Sequence, residues 1–394
     1  MRNRLPHTAL GLTLLVLGLA AAAATVLART YGATPVAISS SHARPNGPSG
    51  SPSISGDNRV ARYVAFHSFA SNLVPGDTNS VQDVFLYTRA TGQITRVSVS
   101  SRGAQANGPS ADPAVDGSVQ SAPRCVAFQS DATNLVPGVH DGQWHIYARD
   151  LRARTTRMVS GGVPGSAVDP AISGNCRQVA FTANGRIYVG NGLRGGHAHY
   201  VAHGTNPDVS LDGSALTWES GHGVWLRRAG HTTRVAAVAG NPQVSDGGAS
   251  RVWAVVFDTP AALTAGDSGS NFDVYMRNFK ATGGVRKTML ISGHNGRTLG
   301  GDSHNGGVTA YAWQRGIVVF QTTTGNETTL WYMNLHTGNI DDLAHTAAGG
   351  PTDPGIHDVA TSARANYVTF SSPWSFQTGS SGPTQDVYLK YLGQ

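Results

Sequence analysis

Tyr63-Val64-Ala65-Phe66 returns along the chain as Cys125-Val126-Ala127-Phe128 and as Gln178-Val179-Ala180-Phe181. Looser copies follow at Leu216-Thr217-Trp218, Val255-Val256-Phe257, Val318-Val319-Phe320 and Val368-Thr369-Phe370. Each copy sets β-branched residues beside an aromatic, between polar or Gly-rich flanks, which is the composition of a short strand. Self-similarity with a period of tens of residues marks a repeat architecture, one supersecondary unit stacked many times. Seven copies of one strand predict seven copies of the unit.

The first copy shows the whole unit. Pro52-Ser53-Ile54-Ser55 reads as a first strand, closed by a turn at Gly56-Asp57-Asn58. Val64-Ala65-Phe66 is the second strand and Asp83-Val84-Phe85-Leu86-Tyr87 the third. Thr91-Gly92 turns the chain into a fourth, Thr95-Arg96-Val97-Ser98. Four antiparallel strands joined by hairpin turns are the make-up of a propeller blade. The third-strand aromatic recurs as Phe85, Tyr147, Tyr188, Trp225, Tyr275, Trp331 and Tyr388. The first strand is marked by Pro52, Pro113, Pro170, Pro207, Pro242 and Pro354, while blade six has Asp302-Ser303-His304 there. Proline suits the start of a strand, where its missing N–H removes no ladder bond. The expected fold is all-β, a seven-bladed β-propeller.

The chain stops shortly after Asp386-Val387-Tyr388-Leu389, so blade seven lacks a fourth strand. Thr34–Ser40 aligns with Thr95–Ser100 and carries the same trailing Asn-Gly-Pro-Ser. The N-terminal strand is therefore expected to complete the last blade and close the ring, which hides an edge that would otherwise invite pairing with another chain. Ahead of it, Arg2 and Arg4, the apolar run Thr8 to Ala24 and Val26-Leu27-Ala28 read as a secretory signal peptide over residues 1–28. Residues 29–48 form the closing strand and linker into blade one, and residues 49–394 the propeller. The expected location is secreted, periplasmic or cell-envelope, with no membrane span in the mature chain. The formal charge of +6 drops by three once Arg2, Arg4 and Arg29 are set aside, and the chain has no Lys/Arg run. That weak field does not indicate nucleic acid as a partner, and none is expected.

The repeat resembles the TolB-type propeller, in which a Ser-x-Asp-Gly turn precedes a Val/Ile-Ala-Phe strand and an Asp-Val/Ile-Tyr strand. The matching residues are Ser210-Leu211-Asp212-Gly213 with Leu216-Thr217-Trp218, Val64-Ala65-Phe66 with Asp83-Val84-Phe85, and Asp273-Val274-Tyr275. The resemblance covers nearly the whole mature chain and implies the fold. Such relatives include periplasmic protein–protein adaptors and gating domains of prolyl-oligopeptidase-like enzymes. TolB itself has six blades, so its partner surface does not carry over to seven.

Gly266-Asp267-Ser268-Gly269-Ser270 looks like the nucleophile loop of a trypsin-type protease, but it lies over the Asn72–Asp77 loop of blade one, so Ser268 is only Thr78 in another blade. A triad is a geometry among three groups, and no partners for Ser268 are visible. No catalytic residue is assigned. The same loops offer oxygen ligands for a hard cation. Asp77, Asn79 and Asp83, with Asp267, Asn271 and Asp273, are the candidate calcium ligands; the simpler role for them is turn capping. His197, His199 and His203 share one strand parity, which could turn imidazoles to one face. Cys125 and Cys176 are the only cysteines and form a candidate disulfide for an exported chain.

The connection between second and third strands is long in blades one, two, five and seven, and those of the consecutive blades seven, one and two should build one wall on the face where the first strands begin. Trp144, Trp374 and Phe376 on that wall are the candidate contact residues for a protein or glycan partner. The reading is an exported, non-catalytic binding or protein-interaction module. The alternative is a metal- or carboxylate-dependent propeller hydrolase or lyase acting on a carbohydrate or lactone. Acids on the innermost strands would favour it, and Asp112, Asp169 and Asp353, each before a first-strand proline, are that set; turn capping explains them more simply.

Overall fold

Each pair of aromatics picked out by the repeat meets across a strand pair. Phe66 lies opposite Phe85, Phe128 opposite Tyr147, Phe181 opposite Tyr188, Phe257 opposite Tyr275 and Phe370 opposite Tyr388. Their rings stack with centroids 5.7–6.4 Å apart. Cross-strand aromatic pairs are among the stronger sheet contacts, and each is buried between blades.

The computed structural model describes residues 33–38, 43–57, 60–248, 251–267, 269–281, 283–294, 297–310, 316–325, 327–343, 356–364, 366–372 and 385–392. Among them are seven four-stranded antiparallel sheets and no helix. Blade one is Ser49–Ile54, Tyr63–Ser68, Asp83–Thr88 and Gln93–Arg96; blade two is Ser110–Val115, Cys125–Ser130, His145–Asp150 and Thr155–Met158. Blade three is Ala167–Ile172, Val179–Ala183, Arg186–Gly190 and His199–His203; blade four is Thr205–Val209, Ala215–Ser220, Gly223–Arg228 and His231–Ala236. Blade five is Gly240–Val244, Val252–Thr259, Asp273–Lys280 and Gly283–Leu290; blade six is Asp302–Val308, Ile317–Thr324, Glu327–Asn334 and Ile340–Asp342. A short hairpin, Gly293–His294 with Arg297–Thr298, sits between them.

Blade seven takes His357–Thr361, Tyr367–Ser372 and Asp386–Tyr391 from the C-terminal end, and its fourth strand from the other end of the chain. Thr34 pairs with Leu389 and Pro35 with Tyr388, and the Val36 amide donates to the Val387 carbonyl. Each first strand packs on the first strand of the next blade, blade seven's on blade one's included, so the ring is closed. The chain is thus a seven-bladed β-propeller with its N-terminal strand completing the last blade.

Two expectations are corrected here. The first strand of blade seven was placed at Pro354, with Asp353 ahead of it. The structure puts that strand at His357–Thr361 with Asp358-Val359 in the Asp-Pro position, and Asp353 and Pro354 lie outside the described residues. His199 and His203 were given one face by strict alternation. A bulge, where Ile187 faces Ala202 but Tyr188 faces Tyr200, breaks that alternation, and all three histidines are exposed.

Candidate functional site

Every first strand is bulged. The register shifts between Gly50 and Ser53, Ala111 and Ala114, Val168 and Ala171, Thr205 and Asp208, Gly240 and Gln243, Asn305 and Gly307, and His357 and Ala360. A bulge leaves one residue unpaired and bends the strand. In six blades that residue is left-handed and is not glycine: Ser51, Asp112, Asp169, Asn206, Asn241 and Asp358, with φ between 44° and 55°. Left-handed backbone is unfavourable for any residue with a Cβ, least so for Asn and Asp.

The freed amides are caught by side chains of the neighbouring blade. Asp112 N donates to His67 Nδ1 at 3.5 Å, Asp169 N to Gln129 Oε1 at 3.0 Å, and Asn241 N to Glu219 Oε1 at 2.7 Å. Ser51 N donates to Asp358 Oδ2 at 3.1 Å, and Ser51 Oγ donates to Asp112 Oδ1 at 2.8 Å. Asn241 Nδ2 donates to Asp258 Oδ2 at 2.6 Å, and that same oxygen lies 2.8 Å from His304 Nδ1. His67, Gln129 and Glu219 each stand just after the second-strand aromatic, so the pattern repeats in three blades, while Ser51 is caught by the rim residue of blade seven.

Ser51, Asp112, Asp169, Asn206 and Asp358 form the rim of a cavity of about 450 Å³ on the propeller axis, and Asn241 lines a smaller pocket beside it with Asn206 and Asp358. Below the rim the wall is built by the first strands. The cavity narrows where the turns after those strands meet on the axis. Gly117 N donates to Gly174 O, Gly174 N to Leu211 O, Asp246 N to Ala310 O and Ala310 N to Ala363 O. Gly56 and Gly174 have no room for a side chain: a Cβ would lie 2.4 Å and 2.3 Å from the Gly117 carbonyl oxygen. Backbone bonds between neighbouring turns thus draw the cavity in at that end, giving it the form of a cup with its mouth at the rim.

Burial sets the protonation of its groups. It pushes Asp208, on the wall, and Asp246, at the floor, up to about 7, and raises Asp169, with Asp112 adding to the last shift. Burial lowers the His67 imidazole, against the pull of Asp112 and Asp358. The Asp258 carboxylate raises His304 through their hydrogen bond.

The residues singled out for calcium are elsewhere and already have partners. Arg96 reaches Asp77 at 3.2 Å and Asp83 at 3.5 Å, placing the chain's own cation between them. Asn79 Nδ2 donates to Asp83 Oδ2 at 2.9 Å and Ser98 Oγ to Asp83 Oδ1 at 2.5 Å. In blade five Ser292 Oγ donates to Asp273 Oδ1 at 2.6 Å and Tyr275 OH to Asp267 Oδ2 at 2.6 Å, while Asn271 is exposed. The same serine–aspartate clamp in two blades ties third strand to fourth. Trp144 is half-buried on the rim-side face, and Trp374 and Phe376 lie outside the described residues, as does Ser268. Cys125 and Cys176 are joined as a disulfide between blades two and three, with Cα atoms 6.1 Å apart.

Sequence reasoning passed over Ser51, Asn206, Asn241, Asp358, His67 and His304. The column before each first-strand proline was readable for the first three. Asp358 was hidden because Val359 stands where proline does elsewhere, and the two histidines belong to no repeated motif.

No protein-family profile matches the chain, and no curated protein matches it. Among solved structures, an oligogalacturonate lyase from Vibrio parahaemolyticus superposes with a TM-score of 0.54 over 93% of this chain and 98% of that one, at 10% identity. At that identity the likeness speaks to the fold alone.

Proposed function

We propose that the protein is an exported, TolB-like propeller that binds a small polar molecule in the mouth of its central cup, without chemistry of its own. The rim carries this reading. Five of its six left-handed residues are Asp or Asn. Each such conformation costs roughly 1 kcal/mol that glycine would not incur. Left-handed non-glycine residues also occur in turns, Ala61 and Ala229 among them. At the rim, however, they recur at the same position of six blades, each with a polar side chain, which is the mark of a site rather than of packing. The rim-side wall with Trp144 adjoins this mouth and would meet any larger protein or glycan that carries the bound group.

The test removes the side chain and the strain together. In Asp112→Gly/Asn206→Gly the melting temperature should hold or rise slightly. Stabilisation by whatever small molecule a thermal-shift screen identifies for the wild type should disappear. A hit that protects the double variant as well as the wild type overturns the reading.

A second reading, catalysis, has one observation in its favour: His67, held neutral by burial, stands with its Nδ1 3.8 Å from Asp112 Oδ1. A neutral imidazole between carboxylates is equipped to take a proton. Turnover that His67→Gln abolishes while binding persists would establish it.

A further inference from the structure

The cup reverses the charge of the protein that holds it. The whole chain carries +6. Asp112, Asp169, Asp208, Asp246 and Asp358 line the cup, and among the described lining residues there is no Lys, Arg or His. Of the two bases beside the rim, His67 is depressed by burial, and His304, raised by Asp258, is paired with that carboxylate, which is not among the five.

The acids stand at different depths. Asp112, Asp169 and Asp358 are rim residues. Asp208 lies two residues past the rim residue Asn206, about 7 Å deeper by strand rise. Asp246 is at the floor. The wall between these levels is apolar, with Pro113, Pro170, Val115 and Ile172 among its residues. A hard cation needs its oxygens gathered around one point. Among the described residues no three carboxylate or histidine ligand atoms come together in the cup; the one such cluster of His, Cys, Asp or Glu, Asp116 with the disulfide-bonded Cys125 and Cys176, is outside it. Carboxylates separated by apolar wall suit a different cation, one whose charges are separated by methylenes. A carboxylated sugar chain, as oligogalacturonate is, would set anion against anion.

We propose that the cup takes a linear aliphatic polyamine, its ammonium groups on the rim aspartates and Asp208, its methylene segments along the proline and valine wall. This rests on the reading of the cup as the binding site and names the ligand class for it. Burial raises both Asp208 and Asp246, and neighbouring Asp212 and Asp208 add to the shift of Asp246, as suits acids without a counter-cation.

Calorimetry with spermidine at low salt is the experiment, with maltotriose, trigalacturonate and calcium chloride as controls. One spermidine should bind per chain, more weakly as salt is added. Asp112→Asn and Asp169→Asn should each weaken it by about tenfold, with the melting temperature checked to show that both fold. No heat from spermidine, equal binding to the variants, or binding of calcium alone overturns the proposal. Maltotriose or trigalacturonate binding that Asn206→Gly removes would overturn it while leaving the cup as the site. Binding of none of the four would overturn it and count against the cup as well.

Discussion

An aspartate taken out of water without a cation beside it keeps its proton to higher pH. Burial pushes Asp116, Asp208 and Asp246 up to about 7, and Asp273 and Asp386 up to about 6. The unfolded chain releases those protons near 3.8. Between about pH 4 and 7 the folded protein therefore holds more protons than the unfolded chain, so stability falls as pH rises through that window. His67, lowered by burial, works in the opposite sense but only below 6.5, and it is one group against five. The melting temperature should be higher at pH 5 than at pH 8 by several degrees, as read by differential scanning calorimetry; a higher value at pH 8 would mean that these carboxylates find water or a cation. None of this was legible from residue types. Asp116 precedes a glycine like any turn aspartate, and only the packing around it takes away its hydration.

Strands were the legible element. Alternating β-branched and aromatic residues, with turn residues between, fixed which segments pair and in what order, because a cross-strand aromatic pair needs one residue from each strand. Bulges were not legible, since one extra residue in a strand changes no composition. Blade seven shows the consequence: with Val359 in place of proline, the nearest proline upstream drew the strand several residues too early. The closing strand was found because Thr34–Ser40 copies both a strand and its trailing loop. Its described ladder is short, yet Val36 and Ala37 behind it are buried. Their burial contributes on the order of 3 kcal/mol. Deleting residues 29–41 should therefore lower the melting temperature by many degrees and promote aggregation through the bared edge of Asp386–Tyr391. An unchanged melt with a monomeric elution profile would show that the ring does not depend on that strand.

At the scale of the whole molecule, seven near-identical blades leave little to distinguish one side from another except the axis. Side chains that pack between blades repeat their role from blade to blade, as the Asn-Leu-Val-Pro loops of blades one and two do. Leu73 and Leu135 are buried, and Asn72 and Asn134 each bond back to the preceding connection. At the rim six of the seven blades present a polar side chain at the same position, and those side chains differ. The central claim is that ligand is held there. Hydrogen–deuterium exchange, with and without the small molecule that stabilises the protein most, tests it most directly. Protection is predicted in the peptides spanning residues 49–54, 110–115, 167–172, 205–209 and 357–361. Protection confined to the loop around Trp144, or to the outer strands, would contradict the account.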